Sequence, residues 1–406
     1  MKSVRNNHSA VSSYRTLLLI SCGVAFACYF GSYMRIPVVP LFARSLGATT
    51  GEVGMINSAF LLVAGLLSLP LGILSDRIGR KLLVACGLLI STGTSLLLYF
   101  AGTPLQMVAI YLFFGIGLAA FGPTMMSFVA DFSPATHLGR SYGWYTTALY
   151  GGMSLGPAAG GWVAQRLGFR QVFLISGIFI FLLVWVVLLF LPRARHLAGG
   201  QPKQQAFAVM TGELLKNRPL LGCWLATLGG CFGLGMFVTF FPLHAHNAGL
   251  NVGQIGLVFA LQAVCNAVSR IPFGQLSDRV ARRGNLVIVG LMGFAASMAG
   301  FALSRSMTQF VVSTMALGLS MGLAFTPLGA LISQVVAPDH RGLAMGGYNT
   351  CIYFGMMLNA AVMGWIISLV GFEKSFYLTA ATIFATTGLF SWMLKDFPPK
   401  GGMVGS

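Results

Sequence analysis

Charge is what this sequence has least of. Only 8% of its 406 residues are Asp, Glu, Lys or Arg, against roughly 25% in soluble domains. Such a chain cannot clothe a core in a water-facing surface. Acids are scarcest, eight in all: Glu52, Asp76, Asp131, Glu213, Asp278, Asp339, Glu373 and Asp396. None falls at the middle of an apolar stretch, and with six scattered histidines they offer no clustered enzyme chemistry. No G-x-x-x-x-G-K-[ST] loop is present, so ATP-driven work is unsupported. No Cys-x-x-Cys pair occurs among the seven cysteines, which argues against a disulfide framework or a zinc site. All seven lie in apolar stretches, as small packing residues. His244 and His246 form His-x-His without an evident third ligand. Gly152-Met153-Ser154-Leu155-Gly156 spells a hydrolase elbow, but that elbow needs a strand-to-helix turn and this one sits inside an apolar stretch. The longest polar stretch, 192–218, is too short for a soluble receptor module. Neither enzyme activity nor a cofactor is expected.

What is there is hydrophobic: 56% of the chain. A hydrocarbon core of about 30 Å is crossed by about 20 apolar residues in a helix. Twelve such segments stand near 17–40, 52–73, 82–101, 106–129, 141–163, 171–191, 219–243, 253–274, 285–304, 308–336, 343–368 and 374–394. Lipid forces backbone groups to pair within the segment, so these are helices. The short alternating segments of a membrane barrel are not seen. The first segment is too long for a signal-peptide core and is kept as a span.

The net charge of +17 is a matter of topology. With the N-terminus inside, inner loops and tails hold 18 of the 25 Lys and Arg. Outer loops hold five, and Arg35 and Arg270 fall within the membrane. This bias places both termini in the cytoplasm of an inner-membrane protein. The basic face suits anionic lipid; no nucleic acid is expected.

The chain repeats itself. Gly72-Ile-Leu-Ser-Asp-Arg-Ile-Gly-Arg-Lys81 returns 202 residues later as Gly274-Gln-Leu-Ser-Asp-Arg-Val-Ala-Arg-Arg283. Pro40, Leu41, Ala43 and Gly47 recur as Pro242, Leu243, Ala245 and Gly249, and Gly51 and Gly54 as Gly253 and Gly256. At a spacing of 203, Tyr145, Tyr150, Gly152, Trp162, Gly168, Phe169 and Phe173 recur as Tyr348, Tyr353, Gly355, Trp365, Gly371, Phe372 and Phe376. The expected architecture is an all-α membrane protein of twelve transmembrane helices in two pseudo-symmetric six-helix bundles. Residues 1–191 form one bundle and 219–406 the other. Residues 192–218 form a cytoplasmic linker, with a short surface helix over 206–217. Parallel repeats of this kind place a solute site between the halves near the midplane.

These motifs resemble the major facilitator superfamily over nearly the whole chain. The family's loop pattern G-x-L-x-D-R-x-G-R-K is met at Gly72, Leu74, Asp76, Arg77, Gly79, Arg80 and Lys81, while the second copy has Ala281 for the second glycine. The resemblance implies that Asp76, Arg77 and Arg80, with Gly274, Asp278 and Arg279 in the copy, act as a gate. Asp76 would meet the eleventh span and close the cytoplasmic side. Gly72 permits close helix approach there. Gly152-x-x-x-Gly156-Pro157-x-x-Gly160-Gly161 matches the fifth-span pattern of the family's antiporters, notably drug exporters. It makes a smooth, bent face on which helices pack or slide.

Ionisable groups in the membrane are the first candidates for a site. Arg270 lies eight residues before Asp278, roughly 12 Å into the eighth span. Gln262, Asn266 and Arg270 share one stripe by their spacing of four. Their counterparts Phe60, Ala64 and Ser68 are not charged, so the stripe belongs to one half, as a solute site would. Some organic-anion carriers of the family similarly have an Arg four residues before this glycine. The rival reading has Arg270 snorkelling or paired structurally. Arg35, two residues before Pro37, either faces the cavity or outer gate or snorkels outward. Asn57, Tyr145, Asn349 and Tyr353 complete the candidate substrate-binding set, and Asn359 also lies within a span. Where the family's fourth span has an Arg, this chain has Tyr111. Arginines without a buried acid attract anions and repel cations.

The chain is therefore expected to be a secondary transporter, working by alternating access as a monomer. It would move a small organic solute, anionic or neutral, with protons as the candidate coupling ion. The alternative is a proton-coupled multidrug efflux antiporter, which the fifth span favours and the missing carboxylate disfavours.

Overall fold

The computed structural model describes residues 4–192, 212, 214–280, 282–337 and 340–395. Within them regular structure is helical. The first half holds α1 (Val4–Met34), α2 (Val38–Ser45), α3 (Thr50–Ile78), α4 (Arg80–Phe100), α5 (Pro104–Phe132), α6 (Leu138–Leu167) and α7 (Phe169–Phe190), with a 3-10 turn at Ala135–His137. The second half holds α8 (Arg218–Asn247), α9 (Val252–Arg279), α10 (Arg283–Leu303), α11 (Met307–Val335) and α12 (Arg341–Met393). The linker expected at 192–218 and its surface helix lie mostly outside the described residues.

Among the described residues ten helical stretches are long and apolar enough to cross a bilayer. One is the 53-residue α12, which breaks at Gly371 (φ 84°, ψ 170°) into two arms. The 30-residue α6 is not among them, its apolar character diluted by glycine, tyrosine and threonine. With α12 counted as two and α6 added, the crossings are twelve. The surface is apolar in keeping with this: Leu189, Ile271 and Leu369 are at least 70% exposed.

Local chemistry sets the ends of these helices. Thr49 and Glu52 form a capping box on α3, with the Thr49 N–H donating to Glu52 Oε2 at 2.7 Å and the Glu52 N–H donating to Thr49 Oγ1 at 3.2 Å. Pro37, which lacks an N–H, parts α1 from α2, so the first span is bent where a single run over 17–40 was expected. The repeated glycines Gly47 and Gly249, and Gly168 and Gly371, all hold φ between 84° and 93°, a region costly for side chains. Gly79 (φ 96°) turns α3 into α4 in a single residue. In the second copy, where Ala281 stands instead, the turn from Arg279 to Arg283 takes three residues.

The halves use the same pairings. In the first, α1 packs on α6, α3 on α5, and α4 on α5 and α7; in the second, α8 packs on α12, α9 on α11, and α10 on α11 and α12. The halves then meet through α3 with α12 and α6 with α9, and α2 touches α8. One hydrophobic core lies inside the first half around Val24, Phe121, Phe128 and Tyr145; a larger one joins both halves.

Candidate functional site

The contact between halves is uneven along its length. At the end far from the basic loops it is tight. Thr50 Oγ1 donates to the Gly364 carbonyl at 2.8 Å. A Cβ at Gly51 would press on the Trp365 ring at 3.2 Å. A Cβ at Gly54 would collide with the Ala360 carbonyl, and one at Gly256 with the Pro157 carbonyl. Gly54 and Gly256 are repeat mates, as are Ala360 and Pro157, so one backbone contact is built twice. Gly161 likewise lies against the Val252 carbonyl, 2.7 Å from where its Cβ would be.

At the basic end the halves part. A Cβ at Gly72, Gly143 or Gly346 would meet no described atom within 4 Å. Gly274 is nearest Thr326 of its own half, at 3.6 Å. Arg80 pairs with Asp131 at 2.6 Å, and Arg283 with Asp278 at 2.7 Å, each pair inside one half. Arg77 and Arg279 are exposed; the Asp76 side chain lies outside the described residues. The cleft therefore opens at the basic end and closes at the far end.

Above this opening two tyrosines related by the repeat, Tyr150 and Tyr353, stand between the halves. The Arg270 guanidinium of α9 lies over the Tyr150 ring of α6, its carbon 4.6 Å from the centroid. Arg270 is half-buried, and its Nε is buried without a hydrogen-bond partner among the described residues. Tyr353 of α12 packs its Cβ against Gly65 of α3, 3.1 Å from where a Cβ would stand. Tyr33 of α1 lies within electrostatic range of both tyrosines, and Tyr348 within range of Arg270 and Tyr150.

The stripe read from the sequence divides. Arg270 meets the other half at Tyr150. Gln262, 8% exposed, donates its Nε2 to Met321 Sδ at 3.0 Å inside its own half. Asn266 is equally buried, its Oδ1 without a partner among the described residues. Gly318 of α11 packs on the backbone of both.

Arg35 neither snorkels nor enters the cleft. It is 1% exposed, inside the first half, in the turn made by Pro37. The Ile36 N–H bonds the Tyr33 carbonyl. That leaves the Ser32 carbonyl to accept from Arg35 Nε at 3.4 Å. The guanidinium lies 4.0 Å from the Phe114 centroid, and Nη1 donates to Thr94 Oγ1 at 3.5 Å. Tyr145 is also buried within the first half, with Cys22, Cys28 and Tyr29 in electrostatic range. Asn57 is buried on α3, three residues after Gly54; Asn349 is exposed on the basic-end turns of α12. Asn359 is fully buried, with neither amide atom hydrogen-bonded among the described residues. His244 and His246 contact the carbonyls of Phe301 (2.9 Å) and Leu250 (3.2 Å).

The fifth-span glycines face two ways. Gly152 and Gly156 lie on the carbonyls of Phe26 and Phe30 of α1, in their own half, whereas Pro157 and Gly161 meet α9 of the other. Three features of this site were not read from the sequence: the closure at Gly51, Gly54 and Gly256, Tyr150 as partner of Arg270, and Tyr33. The first two carried a signal, since all four residues belong to the internal repeat; Tyr33 carried none.

The described carboxylates stay away from this centre. Glu52 caps α3, and Asp131, Asp278 and Glu373 are paired with Arg80, Arg283 and Arg305 near helix ends.

Comparison with known proteins agrees with this architecture. The chain is 25% identical over 374 residues to an uncharacterized MFS-type transporter of Methanocaldococcus jannaschii, covering 91% of this chain and 95% of that one. It is 24% identical over 395 residues to the multidrug resistance protein MdtG of Proteus mirabilis, covering 93% and 96%. Its fold matches the crystal structure of a bacterial homolog of the human lysosomal transporter Spinster, in an inward-facing and occupied conformation. There the TM-score is 0.78 at 15% identity, covering 95% of this chain and 97% of that one. The Major Facilitator Superfamily profile matches residues 21–253 and 233–404, and the chain belongs to that superfamily of membrane transporters.

Proposed function

We propose that this transporter carries a small organic anion across the cytoplasmic membrane by alternating access, with Arg270 as its anchor. One observation carries the reading: a guanidinium between the halves has an unpartnered Nε, and every described carboxylate side chain lies near a helix end. A lone cation in a cleft of low dielectric draws anions, and an arginine fork holds a carboxylate in two bonds.

The positive-inside bias assigns the basic end and both termini to the cytoplasm. The cleft then opens inward, and residues 1–191 and 219–406 rock as units joined by 192–218. In the opposite state the far-end glycine contacts separate. Gly72, Asp76, Arg77 and Arg80 then meet the second half, and Gly274, Asp278 and Arg279 the first. Gly152 and Gly156 keep α6 on α1 while Pro157 slides on α9. The unit works as a monomer, with protons as the candidate coupling ion.

Uptake into proteoliposomes tests this, with anionic, neutral and cationic solutes and an imposed pH gradient. Saturable anion uptake that is lost in a folded Arg270→Gln variant is expected. Preferential movement of lipophilic cations would favour the second reading, a proton-coupled multidrug efflux antiporter. The fifth-span glycine run and the likeness to MdtG speak for that reading.

A further inference from the structure

We infer that the solute is a planar aromatic monocarboxylate, of the benzoate or hydroxybenzoate type. The inference rests on the reading of Arg270 as the anion anchor and adds what surrounds it. Tyr150 of α6 lies beneath the guanidinium, and Tyr353 of α12 packs on Gly65 of α3; Tyr33 of α1 is within electrostatic range of both tyrosines, and Tyr348 of α12 within range of Arg270 and Tyr150. The Tyr150 ring already offers its face to a flat cation. Rings beside a guanidinium suit a flat ring that bears one carboxylate. The carboxylate takes the free N–H edge, and the ring packs on phenol faces or edges.

The polar inventory disfavours a sugar acid. Each of its hydroxyls would need a donor and an acceptor in fixed register. Of the two amides on the Arg270 stripe, Gln262 is turned to Met321 and Asn266 is buried against α11. The group seen against the guanidinium is the Tyr150 ring.

The charge inventory disfavours a dianion. The other membrane arginine, Arg35, is stacked on Phe114 and bonded to Ser32 and Thr94. One cation neutralises one carboxylate, and a second would be buried unpaired.

The full chain in liposomes, at mildly alkaline pH with protein-free liposomes subtracted, provides the test. Labelled benzoate uptake is competed with 4-hydroxybenzoate, cyclohexanecarboxylate, terephthalate, benzamide and tetraphenylphosphonium. The expected result is saturable benzoate uptake, inhibited at least about tenfold better by 4-hydroxybenzoate than by cyclohexanecarboxylate. Terephthalate and benzamide compete poorly, and Tyr150→Leu erases most of the preference for aromatic over alicyclic acid. Equal potency of cyclohexanecarboxylate, or better transport of terephthalate, overturns the aromatic monoanion while the anion reading stands. Movement of tetraphenylphosphonium alone removes both. Absence of saturable benzoate transport, with no thermal stabilisation of the wild-type protein by benzoate, also overturns the inference.

Discussion

Two arginines lie at membrane depth, and their surroundings give them different chemistry. Each keeps one buried N–H without a partner among the described residues, Nη2 of Arg35 and Nε of Arg270, but only that of Arg270 lies where the halves meet. Replacing Arg270 by Gln removes the charge but keeps polarity and much of the length. A hydrogen bond to a charged group is worth about 1.5–3 kcal/mol, so the apparent affinity for an anionic solute falls by roughly 10- to 150-fold. Arg270→Lys recovers part of this, because a point charge replaces a two-pronged fork; concentration dependence of uptake measures both. Arg35 instead fills a buried turn and stacks on Phe114. With no described carboxylate beside it, an apolar side chain of similar reach serves as well or better. Arg35→Met is expected to hold or raise the melting midpoint in detergent. Arg35→Ala, which leaves a hole, lowers stability on the order of 2–4 kcal/mol. The sequence flagged both residues by the same test, a cation in an apolar run. Only packing separates them, since neither the Phe114 ring nor the Tyr150 ring is adjacent in sequence.

Among the elements, α6 has a divided surface. Gly152, Gly156 and Gly160 lie on the α1 backbone, and the Pro157–Gly161 side serves α9. The far-end closure is tightest where Gly54 meets Ala360 and Gly256 meets Pro157. A methyl group at either glycine forces the halves apart there. Overpacking of this kind costs about 1–3 kcal/mol, enough to shift a two-state equilibrium by roughly 5- to 150-fold. Gly54→Ala and Gly256→Ala are each expected to slow transport and to favour the conformer open at the far end. A cysteine probe at the far end of the cleft would label faster in either variant; unchanged labelling and uptake would rule the contact out as a seal. Most elements were legible from length and apolarity, because lipid leaves a helix few alternatives. The bend at Pro37 and the fusion of the last two spans around Gly371 were not. Each depends on how freed backbone groups find partners, as the Ser32 carbonyl does in Arg35. The repeat itself was visible, but its purpose was not: Gly54 and Gly256 matter because of carbonyls some 300 and 100 residues away.

For the molecule as a whole, the two Ser-Asp-Arg turns share one end, with the start of α1 and the end of α12. Impermeant thiol reagents should therefore react with cysteines placed at Gly79 and at Arg282 from the same side of the membrane, and from the side opposite Gly47. Reaction of the two turns from opposite sides would dismantle the twelve-span topology. A solute that binds the native state also raises apparent stability, by about 2.7 kcal/mol at a hundred times its dissociation constant. Anions should do so in the wild type and fail in Arg270→Gln. The place of the proposed site follows from the sequence at this scale, since duplicated bundles meet on an axis. Its lining was not, because Tyr33, Tyr150 and Tyr353 come together only when three separate helices fold. The seal at the far end has a character of its own. At two of its closest points, Gly54 on Ala360 and Gly256 on Pro157, it is main chain against main chain, with little there that can be trimmed, rotated or swapped for a near relative. A latch of side chains can be loosened by degrees; this one has no intermediate setting, and a single added carbon is the smallest and the largest change it can register.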